Sequence, residues 1–119
     1  MKTTELMIGD KVMVKVLSQI PNTYVLHTWT ANDYSRDIQV KPIPLTPEIL
    51  EKNGFWVMEN VASGAEEYIA YATDGLMFHY NRDNDYYFPN TPISWKYAHQ
   101  LQQILRLAEM ADLADNFKI

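Results

Sequence analysis

The hydrophobic pattern of this chain changes period once, near residue 94, and that change constrains its fold more than any other feature. Between residues 11 and 88, apolar side chains recur at every second position in short runs. From Ser94 onward they recur every three to four, at Trp95, Ala98, Leu101, Ile104, Leu105 and Ala108. A two-residue period is that of a half-buried strand and a 3.6-residue period that of an amphipathic helix. The pattern therefore predicts a sheet-forming region followed by one helix from about Ser94 to Ala114, whose apolar stripe must cover a sheet or a partner.

Within the strand region, Val12, Val14 and Val16 mark a first strand launched by the Gly9-Asp10 turn, with Glu5–Ile8 as a short strand before it. Thr23–Trp29 reads as a second strand after a turn at Ile20-Pro21-Asn22. Ala31–Ser35 reads as polar loop, and Asp37–Val40 as a third strand closed by Pro42 and Pro44, which cannot donate to a ladder. Phe55–Glu59, Glu66–Tyr71, Leu76–Tyr80 and Asp85–Phe88 read as an antiparallel meander. Its connections are a loop at Ser63-Gly64, an Asp74-Gly75 hairpin turn and an Asn81–Asn84 turn, and it is closed by Pro89 and Pro92.

One short helix interrupts the strands. Thr46 is a good N-cap, Pro47 sits at the first helical position, Glu48 suits the positive end of the helix dipole, and Gly54 supplies the left-handed residue after Asn53. A two-turn helix is unstable alone, so Leu45, Ile49, Leu50 and Phe55 must dock on a sheet. The expectation is an α+β fold in a single domain over residues 1–119. It has a mostly antiparallel sheet of about six or seven strands, one short helix and a C-terminal amphipathic helix. The Ile8-Gly9-Asp10-Lys11-Val12 opening is similar to the first strand of SH3-like small barrels, which implies a barrel-like N-terminal half.

Composition narrows the functional classes. With no cysteine, disulfides, thiolate chemistry, iron–sulfur clusters and Cys-based zinc sites are excluded. No apolar run reaches the ~18–20 residues that span a bilayer, and the first residues lead to no apolar signal core. A cytoplasmic location without membrane contact is the expectation. The net charge of −5 arises entirely after residue 54. An acidic half joined to a neutral half is a poor start for neutralising phosphates, so nucleic acid is a disfavoured partner.

Chemistry-bearing residues are sparse. Asn81, Asp83 and Asp85 alternate like the first ligands of a calcium-binding loop, but Tyr86 and Pro92 stand where that loop needs Gly and Glu. His27, His79 and His99 share no ligand spacing, and Glu66-Glu67 would point to opposite faces of a strand. No phosphate-cradling glycine loop or serine elbow is present in the sequence. Neither a cofactor nor a catalytic constellation is therefore expected. The one excess is aromatic, at 13%. Tyr80, Tyr86 and Tyr87, with His99 beside the helical stripe, are the candidate residues of an interaction patch, since adjacent tyrosines on a strand must face opposite ways.

Glu5–Val12, Ile43–Phe55 and Tyr97–Gln103, in that order, resemble a family of small uncharacterised proteins of gut anaerobes and their prophages and mobile elements. No activity, cofactor or binding residue is established for that family, so the resemblance carries over nothing catalytic. The leading expectation is a non-enzymatic accessory or interaction protein with an unknown protein partner, with a homodimer through the C-terminal helix as one form. The alternative is a small β module associated with nucleic acid. The anchors are expected to meet in one packed region.

Overall fold

Proline and glycine set the boundaries of the elements that form. The computed structural model describes residues 1–15, 23–60, 67–71, 75–80 and 85–119. Val16, the turn at Ile20–Asn22, the Ser63-Gly64 loop, Asp74 of the hairpin turn and the Asn81–Asn84 turn lie outside the described residues. The chain divides into two units, residues 1–44 with 97–117, and residues 45–96 with 118–119. No helix among the described residues is long and apolar enough to cross a membrane.

In the first unit, β1 (Lys11–Lys15) pairs antiparallel with β2 (Tyr24–Thr28) on one side and β3 (Val40–Lys41) on the other. The register sets Val12 opposite His27 and Val14 opposite Val25, so all four share a face. Val12 is buried there with Leu6, Trp29 and Val40, and Val14 and Ile38 pack against them. Two helices also belong to this unit, one over Ala98–Leu107 and a shorter one over Ala111–Asp115. The longer buries Ala98, Leu101 and Leu105, as its three-to-four spacing predicts, and packs on β1.

A fully buried glutamine fastens that helix to the sheet. The Gln102 side chain accepts from the Lys11 N–H (2.7 Å) and donates to the carbonyls of Gly9 and Ala114 (2.9 Å each). With amide oxygen and nitrogen both engaged, burying this polar group carries little desolvation penalty.

In the second unit, α1 (Pro47–Lys52) has the predicted cap: the Ile49 N–H donates to the Thr46 hydroxyl, and Gly54 follows Asn53 with φ +82°. Five strands then form an antiparallel sheet in chain order: β4 (Trp56–Asn60), β5 (Glu67–Tyr71), β6 (Met77–Tyr80), β7 (Tyr86–Tyr87) and β8 (Ser94–Trp95). The two helices of the first unit are α2 (Ala98–Leu107) and α3 (Ala111–Asp115) in chain order.

The architecture is α+β with antiparallel sheets, and several finer expectations are corrected. There are two sheets, of three and five strands, in place of one of six or seven. Pro42 and Pro44 deny the first sheet further ladder donors, and α1 follows β3 in the chain before the strands of the second sheet begin. The first sheet is no closed barrel: the order β2-β1-β3 leaves β2 and β3 as opposite edges among the described residues. Thr3–Glu5 and Ala31–Ser35 are 3-10 turns, where a strand at residues 5–8 and a plain loop were expected. Pro89 and Pro92 do not end the second sheet, because β8 follows them and takes Ser94 and Trp95 from the predicted helix.

That helix is also broken near its end. Glu109 has φ +62°; its N–H donates to the Arg106 carbonyl and that of Met110 to the Leu105 carbonyl (2.8 Å). This is the same double bond pattern that closes α1, where Gly54 donates to Glu51 and Phe55 to Leu50. A left-handed conformation costs a side-chain-bearing residue about 1–2 kcal/mol, so α2 stops against the local preference of its own sequence. Glu109→Gly is therefore expected to stabilise the protein by about 1 kcal/mol and Gly54→Ala to destabilise it similarly. Urea unfolding of both variants checks this; equal and small effects at the two sites contradict it.

Candidate functional site

The pleat of the five-stranded sheet sorts its side chains into two sets. Tyr80 aligns with Tyr86 and Tyr86 with Trp95, so these residues and Phe78 share one face. All four are buried. Phe78 sits at the centre, with ring centroids 5.5 Å from Phe55, 5.2 Å from Trp95 and 6.0 Å from Tyr86. Tyr86 stacks on Tyr80 at 5.1 Å and donates its hydroxyl proton to the Leu45 carbonyl at 2.9 Å. Burial, reinforced by Tyr80 and Glu48 nearby, pushes its phenol far above the usual range, so it remains a neutral donor.

The opposite face is open. Trp56 and Met58 alternate along β4, and the register carries Trp56 across β5 to Met77 and Met58 across β5 to His79, then on to Tyr87 and Ser94. Trp56 is 72% exposed, Met58 47% and Met77 39%. His79 and Tyr87 are half-buried and meet edge to face at 5.7 Å. Scattered exposed apolar residues are ordinary, but Trp56 and Met58 stand two apart on β4 and Met77 shares their face on the far side of β5, and these are residue types enriched in protein interfaces.

Of the candidate patch residues, the structure brings three into this sheet and separates them by face. Tyr80 and Tyr86 are core residues, a correction to their place in a surface patch, and Tyr87 lies on the open face. The fourth, His99, belongs to the first unit, near the start of α2, and is buried too. The sequence reading missed Trp56, Met58 and Met77, although their signal was available: Trp56-x-Met58 and Met77-x-His79 have matching spacing on strands that flank β5.

His99 serves the fold. Its ring lies parallel to that of Tyr97 at 6.0 Å, and its Nδ1 is buried without a hydrogen-bond partner among the described residues. Burial holds its pKa below the ordinary imidazole value, against the smaller upward pull of Asp10 and Glu5. Its neighbour Gln100 caps α2 by accepting from the Tyr97 N–H at 3.0 Å. Among the described residues no group of three or more His, Cys, Asp or Glu is placed to hold a metal ion.

Comparison with protein-family models, with curated proteins and with solved structures returns no match to this chain.

The His99 geometry carries a pH prediction. The unfolded chain takes up this proton near the ordinary value of 6.5, and the folded chain takes it up only at lower pH. The stability contributed by neutral His99 is therefore complete above the unfolded value and declines as pH falls towards the folded one. Between pH 7 and pH 5 the wild type should lose stability relative to His99→Phe, as read by urea unfolding at a series of pH values. A difference between the two proteins that stays constant across that window contradicts the assignment.

Proposed function

We propose that this chain is a non-enzymatic accessory protein that works by holding a protein partner on the open face of its five-stranded sheet. The observation that supports the reading is the 72% exposure of Trp56 on the face that also exposes Met58 and Met77. Tryptophan is the residue most enriched among binding hot spots, and methionine adapts its shape to a partner. The partner has an apolar centre and a basic rim. The second unit carries eight acidic against four basic residues, a net charge of −4. A basic rim complements that field, whereas a second copy of this chain repeats it. A place among accessory proteins of prophages and mobile elements is what the resemblance of the three sequence segments adds.

The test uses peptides selected from a random library against the whole protein. Selected binders should combine aromatic or aliphatic residues with Lys or Arg, and Trp56→Ser should weaken them at least tenfold while leaving the unfolding temperature nearly unchanged. Binders that hold Trp56→Ser as tightly as wild type overturn the reading. So does a dimer in sedimentation velocity that Trp56→Ser dissociates, since the face then belongs to a second copy.

A further inference from the structure

The sheet of the first unit turns a lysine-bearing face away from its buried cluster. Strand alternation puts Val12 on one side of β1, packed with Leu6, Trp29 and Val40, and puts Lys11, Met13 and Lys15 on the other. The register adds residues from both neighbouring strands to that second side. On β2, Leu26 stands opposite Met13 and Tyr24 opposite Lys15; on β3, Lys41 stands opposite Met13. Lys41 is therefore the diagonal neighbour of both Lys11 and Lys15, about 7–8 Å from each along the sheet. Lys15, Leu26 and Lys41 are exposed, and Lys11 and Tyr24 are half-buried.

No carboxylate of these strands answers the three cations, because β1, β2 and β3 contain neither Asp nor Glu. Residues 16–22, which join β1 to β2, carry no charge either. Asp33 is bonded to His27, which the register sets on the other side with Val12. Lys41 Nζ lies over the Tyr24 ring, 4.1 Å from its centroid, and Lys11 Nζ donates to the Thr28 hydroxyl. Neither contact neutralises a charge. Charge counted along the chain hides this face, since strand pairing gathers lysines that stand apart at positions 11, 15 and 41.

The composition of the face selects among anions. Its cations are all lysines, point charges suited to phosphates, whereas paired carboxylate oxygens are matched by the planar fork of arginine, which the three strands lack. Tyr24 and exposed Leu26 set a ring and an apolar surface among those charges, and an unpaired base uses both. A duplex fits less well: its major groove admits a helix or a two-stranded ribbon, and this face spans three strands. We propose that this face binds single-stranded nucleic acid, with phosphates along Lys11, Lys41 and Lys15 and a base stacked at Tyr24 beside Leu26. It shares no residue with the open face of the five-stranded sheet, so either assignment can fail alone.

The test titrates the whole protein into a labelled oligothymidylate and reads fluorescence anisotropy at about 50 mM salt. Binding should saturate, and the logarithm of the affinity should fall with the logarithm of salt concentration with a slope of about −2, as three contacts to a single strand require. Lys15→Gln and Lys41→Gln, at exposed positions, should each weaken binding several-fold and make the slope shallower. Tyr24→Leu should weaken it several-fold and leave the slope unchanged. A duplex of the same length, polyglutamate and phosphatidylserine vesicles are the rival anions. Any of them bound as tightly as the single strand overturns the proposal. So does oligothymidylate binding that both lysine substitutions leave intact, or no saturable binding at all.

Discussion

A single carboxylate with no solvent exposure, Asp10, ties the first unit together. It accepts from the Met7 N–H at 2.8 Å, from the Gln103 amide at 2.8 Å and from the Arg106 guanidinium at 2.6 Å. The first bond closes the turn that launches β1; the other two reach it from successive turns of α2. A charge without water must be paired and hydrogen-bonded, and removing one partner of such a pair typically costs about 3–5 kcal/mol. The pair is weak evidence of net stability, but in this docking of α2 on β1 Asp10, Gln102 and Gln103 are all hydrogen-bonded together. Gly9 completes the constraint. Its φ is +95°, and a Cβ there would stand 2.9 Å from Arg106 Nη2.

Parts of the three segments Glu5–Val12, Ile43–Phe55 and Tyr97–Gln103 make structural contacts in this unit. Gly9-Asp10-Lys11 meets Gln102 and Gln103 through the bonds just described. Ile43 and Pro44 meet the start of the third segment, with the Ala98 N–H donating to the Ile43 carbonyl at 2.8 Å and Pro44 bridged to Tyr97. His99 and the glutamines of the third segment are spent on packing, capping and fastening.

How much could be read in advance depended on whether the cause was local. Gly54 announced the end of α1 because glycine adopts φ +82° without a steric cost, and the Thr46-Pro47-Glu48 start was equally legible. Glu109 announced nothing. The same closing hydrogen bonds form around it, but the conformation is imposed by how α2 and α3 pack, and residues 94–114 keep one helical period across the break. The sheet count failed for a related reason. Period-two runs identify strands and say nothing about which strands share a ladder; that depends on contacts between residues far apart in sequence. The pleat, by contrast, was readable from adjacency alone: Tyr86 and Tyr87 had to separate, and they do.

The histidines show why the candidate sites were less legible than the fold. His27, His79 and His99 are indistinguishable as letters, and nothing in their spacing ranks them. Their environments make them different groups. His99 is buried, with no partner for Nδ1 among the described residues, and its pKa is held low by burial; His79 packs edge to face against Tyr87 on an open surface. His27 is partly exposed and oriented by a carboxylate that is itself fixed by two bonds from Thr30. The Asp33–Thr30 contact is local, three residues apart, and belongs to a turn; the register of β1 against β2 then sets His27 on the face that Val14 and Val25 line. A polar turn residue gains a ring as its partner only when strand register brings one to it. That step is decided by the pairing of Val12 with His27, which no single stretch of the sequence contains.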